Sequence, residues 1–155
     1  MPHLHDKIDF CAETFIVYKN TVLLRKHDKL KIWLGVGGHI ELNEDPNEAA
    51  VREVWEEVGL KVVLYCEENK QPTFSVKTKQ SLIPPQYLNR HPITESHEHI
   101  ALVYFAKAET QQLNLSTEEK SDDCRWFTKA EIIKNDCGIG DDICFYALKA
   151  LETLS

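Results

Sequence analysis

Hydrophobic and polar positions along the chain divide it into short extended runs and two helices. Residues 11–17 and 21–24 are β-like apolar runs, and Lys19-Asn20 between them reads as a turn, so the two predict a hairpin. Residues 26–31 form a charged connector. Residues 33–40 contain Gly35, Gly37 and Gly38 and read as a strand giving way to a tight loop. The clearest helix follows. Asp45 suits its N-cap, Pro46 its first position and Gly59 its stop. Val51, Val54 and Val58 recur at i, i+3 and i+7 with Ala50 beside Val54, which predicts an apolar face turned to a sheet. Residues 60–66 are a β-branched strand. Residues 67–96 hold Pro72, Pro84, Pro85 and Pro92 and predict a long loop, with short strands at 73–76 and 81–83 paired as a hairpin. Residues 99–106 are a strong apolar strand, 117–123 an acidic exposed stretch, 125–127 a short strand and 129–133 a helical turn. Residues 142–154 predict a helix with Ile143, Tyr146, Ala147, Ala150, Leu151 and Leu154 on one face. Strands and helices interleave without a regular βαβ rhythm, so the expected class is α/β, a mixed sheet covered by helices.

A length of 155 residues suits one domain spanning 1–155. With 43% hydrophobic and 28% charged residues, the composition is that of an ordinary globular protein. The net charge of −7 changes the picture more. It argues against a nucleic-acid partner, which would call for a basic stripe, and against an anionic membrane. A phosphate-bearing substrate would need its charge met locally, by a divalent cation held on clustered carboxylates. The five cysteines, Cys11, Cys66, Cys124, Cys137 and Cys144, are scattered, include no C-x-x-C and show no zinc spacing; they suit reduced thiols in the cytoplasm. The charged residues 1–10 lack the apolar core of a signal peptide, and no apolar run is long enough to span a bilayer.

The chemistry concentrates on the first helix. Glu53, Glu56 and Glu57 stand at i, i+3 and i+4 and share a face, with Arg52 and Glu48 close by and Glu44 one turn ahead. Like charges stacked in this way destabilise a bare helix, and a hard cation would relieve them. Magnesium prefers oxygen ligands and shares its shell with substrate phosphates, so it fits such a cluster. Gly37 and Gly38 let backbone approach a ligand closely, and the Gly37 carbonyl is a possible further ligand. Taken alone, glutamates at this spacing are more often a solvated face. The surrounding residues decide otherwise. The stretch reads Gly38-x5-Glu44-x7-Arg52-Glu53-Val54-x-Glu56-Glu57-x-Gly59-Leu60, nine specified positions at fixed spacing. It resembles the Nudix box, G-x5-E-x7-R-E-U-x-E-E-x-G-U with U aliphatic, without a mismatch.

The resemblance implies a Nudix fold, an α/β/α sandwich with a mixed sheet and a loop–helix–loop, and a hydrolase that cleaves a phosphoanhydride bond in a nucleoside diphosphate linked to some other group. It implies Glu53, Glu56 and Glu57 as metal-binding and catalytic carboxylates, one of them or a glutamate elsewhere as the base, and Arg52 as the residue that orients a glutamate. Glu44, Gly38 and Gly59 would hold the loop geometry. The expected cofactor is Mg²⁺, with Mn²⁺ as a substitute. Trp33-Leu34 and Arg125-Trp126-Phe127 also look familiar for the family. One departure stands out: many relatives carry Pro before the glycine pair, where this chain has Gly35-Val36, which reads as a change of loop stiffness.

Outside the box, Glu98 is a candidate further metal ligand, and its alternative is an exposed strand end. His97 and His99 would face one way on a strand, as hydrogen-bonded histidines more readily than as a chelating pair. Arg25 and Lys26 could meet phosphates, Gly38 and His39 could line the substrate, and Trp33, Phe74 and Tyr87 could stack on a base or simply pack. The favoured activity is a nucleoside triphosphate pyrophosphatase acting on a small-molecule nucleotide, as a monomer or homodimer. The alternatives are a nucleotide-sugar or dinucleotide (ADP-ribose-like) diphosphatase and a noncatalytic nucleotide-sensing module, which would be expected to lose box glutamates.

Overall fold

The computed structural model describes residues 3–68, 79–115 and 123–155. Among them run β1 (Ile8–Tyr18), β2 (Thr21–Lys26), β3 (Trp33–Leu34), β4 (Val36–His39), α1 (Pro46–Val58), β5 (Val62–Leu64), β6 (Tyr87–Pro92), β7 (Glu98–Ala108), β8 (Asp123–Thr128), α2 (Lys129–Lys134) and α3 (Asp141–Leu154). The sheet is mixed. Its spine is the parallel pair β1 and β7, in register from Ile8 opposite Glu98 to Val17 opposite Lys107. Each spine strand changes partner along its length. β1 is flanked by β4 over Cys11–Thr14 and by β2 over Ile16–Tyr18, while β7 is flanked by β6 at its start and β5 at its end. β2 carries β3 and β8 as further antiparallel neighbours.

Alternation along the strands builds two apolar layers. Phe15, Val17, Val22, Leu24, Val103, Phe105 and Phe127 face α3, which presents Ile143, Tyr146, Ala147, Ala150, Leu151 and Leu154. Ala12, Ile16, Leu23, Val36, Tyr104 and Ala106 face α1. The expected α/β architecture, the β1–β2 hairpin and the amphipathic face of the last helix are all present. Three expectations fail. Tyr87–Pro92, read as loop, is a strand paired with β7, because its partner supplies the ladder that its own proline and polar residues do not advertise. Residues 81–83 are not a strand. Val51 is 40% exposed, so the apolar face of α1 is not the one its valine spacing suggested. The expected strand at 73–76, with Phe74, lies outside the described residues, as does most of the acidic stretch 117–123.

Candidate active site

α1 is started and stopped by local chemistry. The Asp45 side chain accepts the N–H groups of Asn47 and Glu48 while the Glu48 carboxylate accepts the N–H of Asp45, a reciprocal capping box. Gly59 closes the helix in the left-handed region, at φ 67°. At about 100° per residue, Ala49, Ala50, Val54 and Val58 share half the helix with Glu53 and Glu57. Both glutamates are buried, at 1% and 5% exposure. The expectation of a valine face for the sheet and a separate glutamate face for metal is therefore corrected. Two carboxylates lie within the buried arc, between the alanines, and only Glu56 stands outside it.

Buried carboxylates must be paired, and two arginines pair them. The Arg52 guanidinium spends its donors on Glu44 (2.7 and 2.9 Å), Glu53 (2.9 Å), Glu56 (3.1 Å) and the backbone carbonyl of His39 (3.0 Å). Its planar fork suits this role, and Glu44 beside it is held below the usual carboxylate range, chiefly by the hydrogen bond from Arg52. Glu44 also accepts the N–H of Glu41 at 2.8 Å, which braces the loop ahead of the helix. Arg25, from β2, lies 3.3 Å from Glu57, and the Gly37 N–H donates to Glu57 Oε2 at 3.3 Å. Arg25 Nε is buried with no hydrogen-bond partner among the described residues.

The glycine pair fits this arrangement for steric reasons. A Cβ on Gly38 would stand 2.5 Å from Glu53 Oε1, and one on Gly37 would stand 2.0 Å from the Ala12 carbonyl oxygen. Val36, at the position where many relatives have proline, is fully buried beside Val54 and Val58, so the departure places a core residue there.

Glu53, Glu56, Glu57, Arg52, Glu44, Gly37, Gly38 and Arg25 thus converge. Gly37 contacts the box through its N–H. Two candidates lie apart. The His39 side chain points to the other face of the sheet, since β4 alternates and Gly38 faces α1; His39 is buried beside Asp9 and His99. Glu98 pairs with Arg90, and the charges acting on its carboxylate are those of Arg90 and Lys7, none of them from the box. Trp33 packs edge-on against Phe127 in the core, and Tyr87 packs among Phe105, Phe145 and Tyr146. One link carried no sequence signal. The Asn47 side chain clamps Ile83 through two hydrogen bonds, Nδ2 to its carbonyl at 2.9 Å and from its N–H at 2.8 Å, tying the long loop to the first turn of α1.

The carboxylate set is chemically suited to a hard divalent cation. It offers three side chains with oxygen donors only, two of them removed from water, over a glycine whose missing Cβ leaves them room.

Comparison with known proteins agrees. A family model described as the NUDIX domain matches residues 14–147. A hydrolase of the NUDIX family from Clostridium perfringens shares 35% identity, with a TM-score of 0.86 over 95% of this chain and 98% of that one. A MutT NUDIX hydrolase from Burkholderia pseudomallei has the same fold at 18% identity and a TM-score of 0.62, covering 96% of this chain and 99% of that one. An RNA pyrophosphohydrolase from Roseobacter denitrificans is 25% identical over 130 residues, 83% of this chain and 79% of its own.

Proposed function

The chain belongs to the Nudix family and is a hydrolase of phosphorus-containing acid anhydrides; within that family we propose that it is a nucleoside triphosphate pyrophosphatase acting on small-molecule nucleotides in the cytoplasm. The observation that carries the catalytic, hydrolase part of the reading is the intact and mutually braced set Arg52, Glu53, Glu56, Glu57 and Glu44. A module that only senses nucleotides has no need to keep so costly a cluster of buried charge.

Family members use divalent metal ions, and Mg²⁺, with Mn²⁺ as substitute, would be held here by Glu53, Glu56 and Glu57. When bound, such an ion neutralises the diphosphate oxygens and makes water a better nucleophile. The protein's own residues do the rest by position. Arg52 fixes the Glu53 carboxylate at 2.9 Å and keeps Glu56 beside it. Glu57 is oriented by the Gly37 N–H and by Arg25, and it is the carboxylate we assign to take the proton from the attacking water. Arg25, whose guanidinium pairs with Glu57 at 3.3 Å, is the cation we assign to meet a phosphate oxygen as charge shifts to the leaving group. Catalysis here is positioning and charge stabilisation, as phosphoryl transfer requires.

The relative named RNA pyrophosphohydrolase favours a second reading, in which the triphosphate sits on an RNA 5′ end. A substrate panel with Mg²⁺ separates the readings: nucleoside triphosphates, nucleotide sugars, ADP-ribose, and a 5′-triphosphorylated oligonucleotide. Release of pyrophosphate from free triphosphates at the highest kcat/KM supports the proposal. Preference for the oligonucleotide or the diphosphate diesters replaces it. Glu57→Gln is expected to lower turnover about 10²–10⁴-fold, the usual worth of a general base, with an unchanged circular dichroism spectrum. Near-normal turnover would remove Glu57 from the role.

A further inference from the structure

The face of the sheet opposite the box carries a second cluster of ligating side chains. Strand alternation aligns them. Asp9 and Cys11 on β1 face the same way as His99 on the parallel β7, and Asp9 stands directly opposite His99 in the register. His39, at the end of β4, lies opposite Cys11. His97 comes from the residue just before β7, and His3 arrives from the N-terminal segment, which folds back over the strand ends. We propose that Asp9, His97, His99 and His3 form a binding site for a zinc-class divalent transition ion, separate from the box.

The donor atoms of these four lie within 4.8 Å of one another. A tetrahedral site with bonds of about 2.0–2.1 Å has ligand atoms about 3.3–3.4 Å apart. The distances to Asp9 Oδ2 are 3.0 Å from His3 Nδ1, 3.2 Å from His97 Nε2 and 3.5 Å from His39 Nε2. His39 Nε2 and His99 Nε2 are 3.3 Å apart. The two Asp9 distances within the set are close to tetrahedral edges, and His39 borders the set beside Asp9 and His99.

The hydrogen bonding points the same way. Asp9 is wholly buried, and its two oxygens have different work. Oδ1 accepts the N–H groups of Leu4 and His5 at 3.1 and 2.8 Å, while Oδ2, with a longer 3.3 Å contact from the Leu4 N–H, is hydrogen-bonded to His3 Nδ1 at 3.0 Å and turned toward the other imidazoles. His97 is only 4% exposed, and its Nε2 has no hydrogen-bond partner of proper geometry although Asp9 Oδ2 is 3.2 Å away. Two atoms that close and poorly aligned are better explained by a shared ion than by a bond between them. Imidazole and carboxylate together suit zinc better than magnesium. Cys11 Sγ, 3.4 Å from His99 Nδ1, lies behind the set and orients that ring. The site would staple the N-terminal segment across the paired ends of β1 and β7. The scattered cysteines had suggested no zinc pattern; here the ligands are histidines and an aspartate brought together only by the parallel register.

The test uses the untagged chain, stripped by a chelator and returned to buffer with Mg²⁺ in excess to saturate the box. Co²⁺ is then titrated as a spectroscopic stand-in for Zn²⁺. We expect one equivalent to develop the intense visible absorption of a tetrahedral site, Zn²⁺ to bleach it, and Zn²⁺ to raise the melting temperature. The absorption should persist in Glu57→Gln and vanish in His99→Gln and Asp9→Asn. His99 is half-buried and the milder change, so it serves if Asp9→Asn fails to fold, and the wild-type spectrum needs no variant. Absence of tetrahedral Co²⁺ from the folded wild type would overturn the site and leave an imidazole–carboxylate network. Retention of the colour in His99→Gln would overturn this ligand set.

Discussion

Replacing Gly38 with alanine tests whether the glycine pair exists to make room for Glu53. Gly38 has no unusual backbone angle, so an alanine there meets no intrinsic strain. Its Cβ would instead lie 2.5 Å from Glu53 Oε1, 2.6 Å from Cδ and 2.9 Å from Oε2. To restore an ordinary contact of about 3.4 Å, the carboxylate must withdraw by about 0.9 Å. It has little freedom to do so, being 1% exposed and held by Arg52 at 2.9 Å. Overpacking of this kind costs about 1–3 kcal/mol. In a chain of this size, about 2 kcal/mol lowers the melting temperature by about 4–8 °C. A displacement near 1 Å at a reacting centre costs turnover about 10²-fold. The assay is a thermodynamic cycle: melting of wild type, Gly38→Ala, Glu53→Ala and the double variant, with Mg²⁺-dependent turnover measured for the first two. If the collision is the cause, the alanine at 38 becomes nearly harmless once Glu53 is shortened. The coupling should then match most of the single-variant cost. An unaltered melting temperature and turnover in Gly38→Ala would refute the reasoning. So would an equal cost in both backgrounds, which would move the effect to the backbone.

Two further outcomes follow from groups around the site. Gly59→Ala combines a left-handed residue, φ 67°, with a Cβ 2.7 Å from Asn114 Cβ; the backbone term alone is about 1–2 kcal/mol, so the urea midpoint should fall while turnover per folded molecule holds. A midpoint within error of wild type would dismiss the cap. Glu13 accepts the Gly35 N–H at 2.9 Å, and burial, aided by Asp142, pushes its carboxyl up to about 7 from an ordinary value of 4.5. The folded chain then keeps a proton that the unfolded chain has released, so stability falls as pH rises from about 4.5 to about 7 and is level above. Glu13→Gln removes that slope, and denaturation of both proteins at pH 5 and pH 8 checks it; an identical pH dependence would reject the shift.

The fold was legible where periodicity and caps agreed. Asp45, Pro46 and Gly59 bound α1 as their chemistry requires, and the six apolar positions of α3 all face the core. It was illegible where tertiary partners decide. β6 owes its extended form to pairing with β7, not to its own Tyr-Leu-Asn-Arg-His-Pro composition. Val51 looked like core by spacing, yet the buried arc of α1 is drawn around Glu53 and Glu57, which no hydrophobicity pattern places inside. The two arginines, with the Gly37 N–H, help make that burial tolerable. Arg52 stands beside Glu53 in the box, whereas the contact of Arg25 with Glu57 crosses 32 residues and needs the sheet.

The same alternation explains why one short strand serves two chemistries. β4 is four residues long, and each step of a strand turns the side chain to the opposite face. Val36 and Gly38 therefore meet α1, where one packs against valines and the other leaves space for a carboxylate. His39, one step on, is sent through the sheet to Asp9 and His99. Its backbone carbonyl nevertheless still accepts from Arg52 at 3.0 Å. An ion on the histidine face would thus lie beside a residue whose main chain is bonded to the arginine that positions Glu53. The two faces are chemically separate, but they share one peptide group, and any movement of His39 must pass through it.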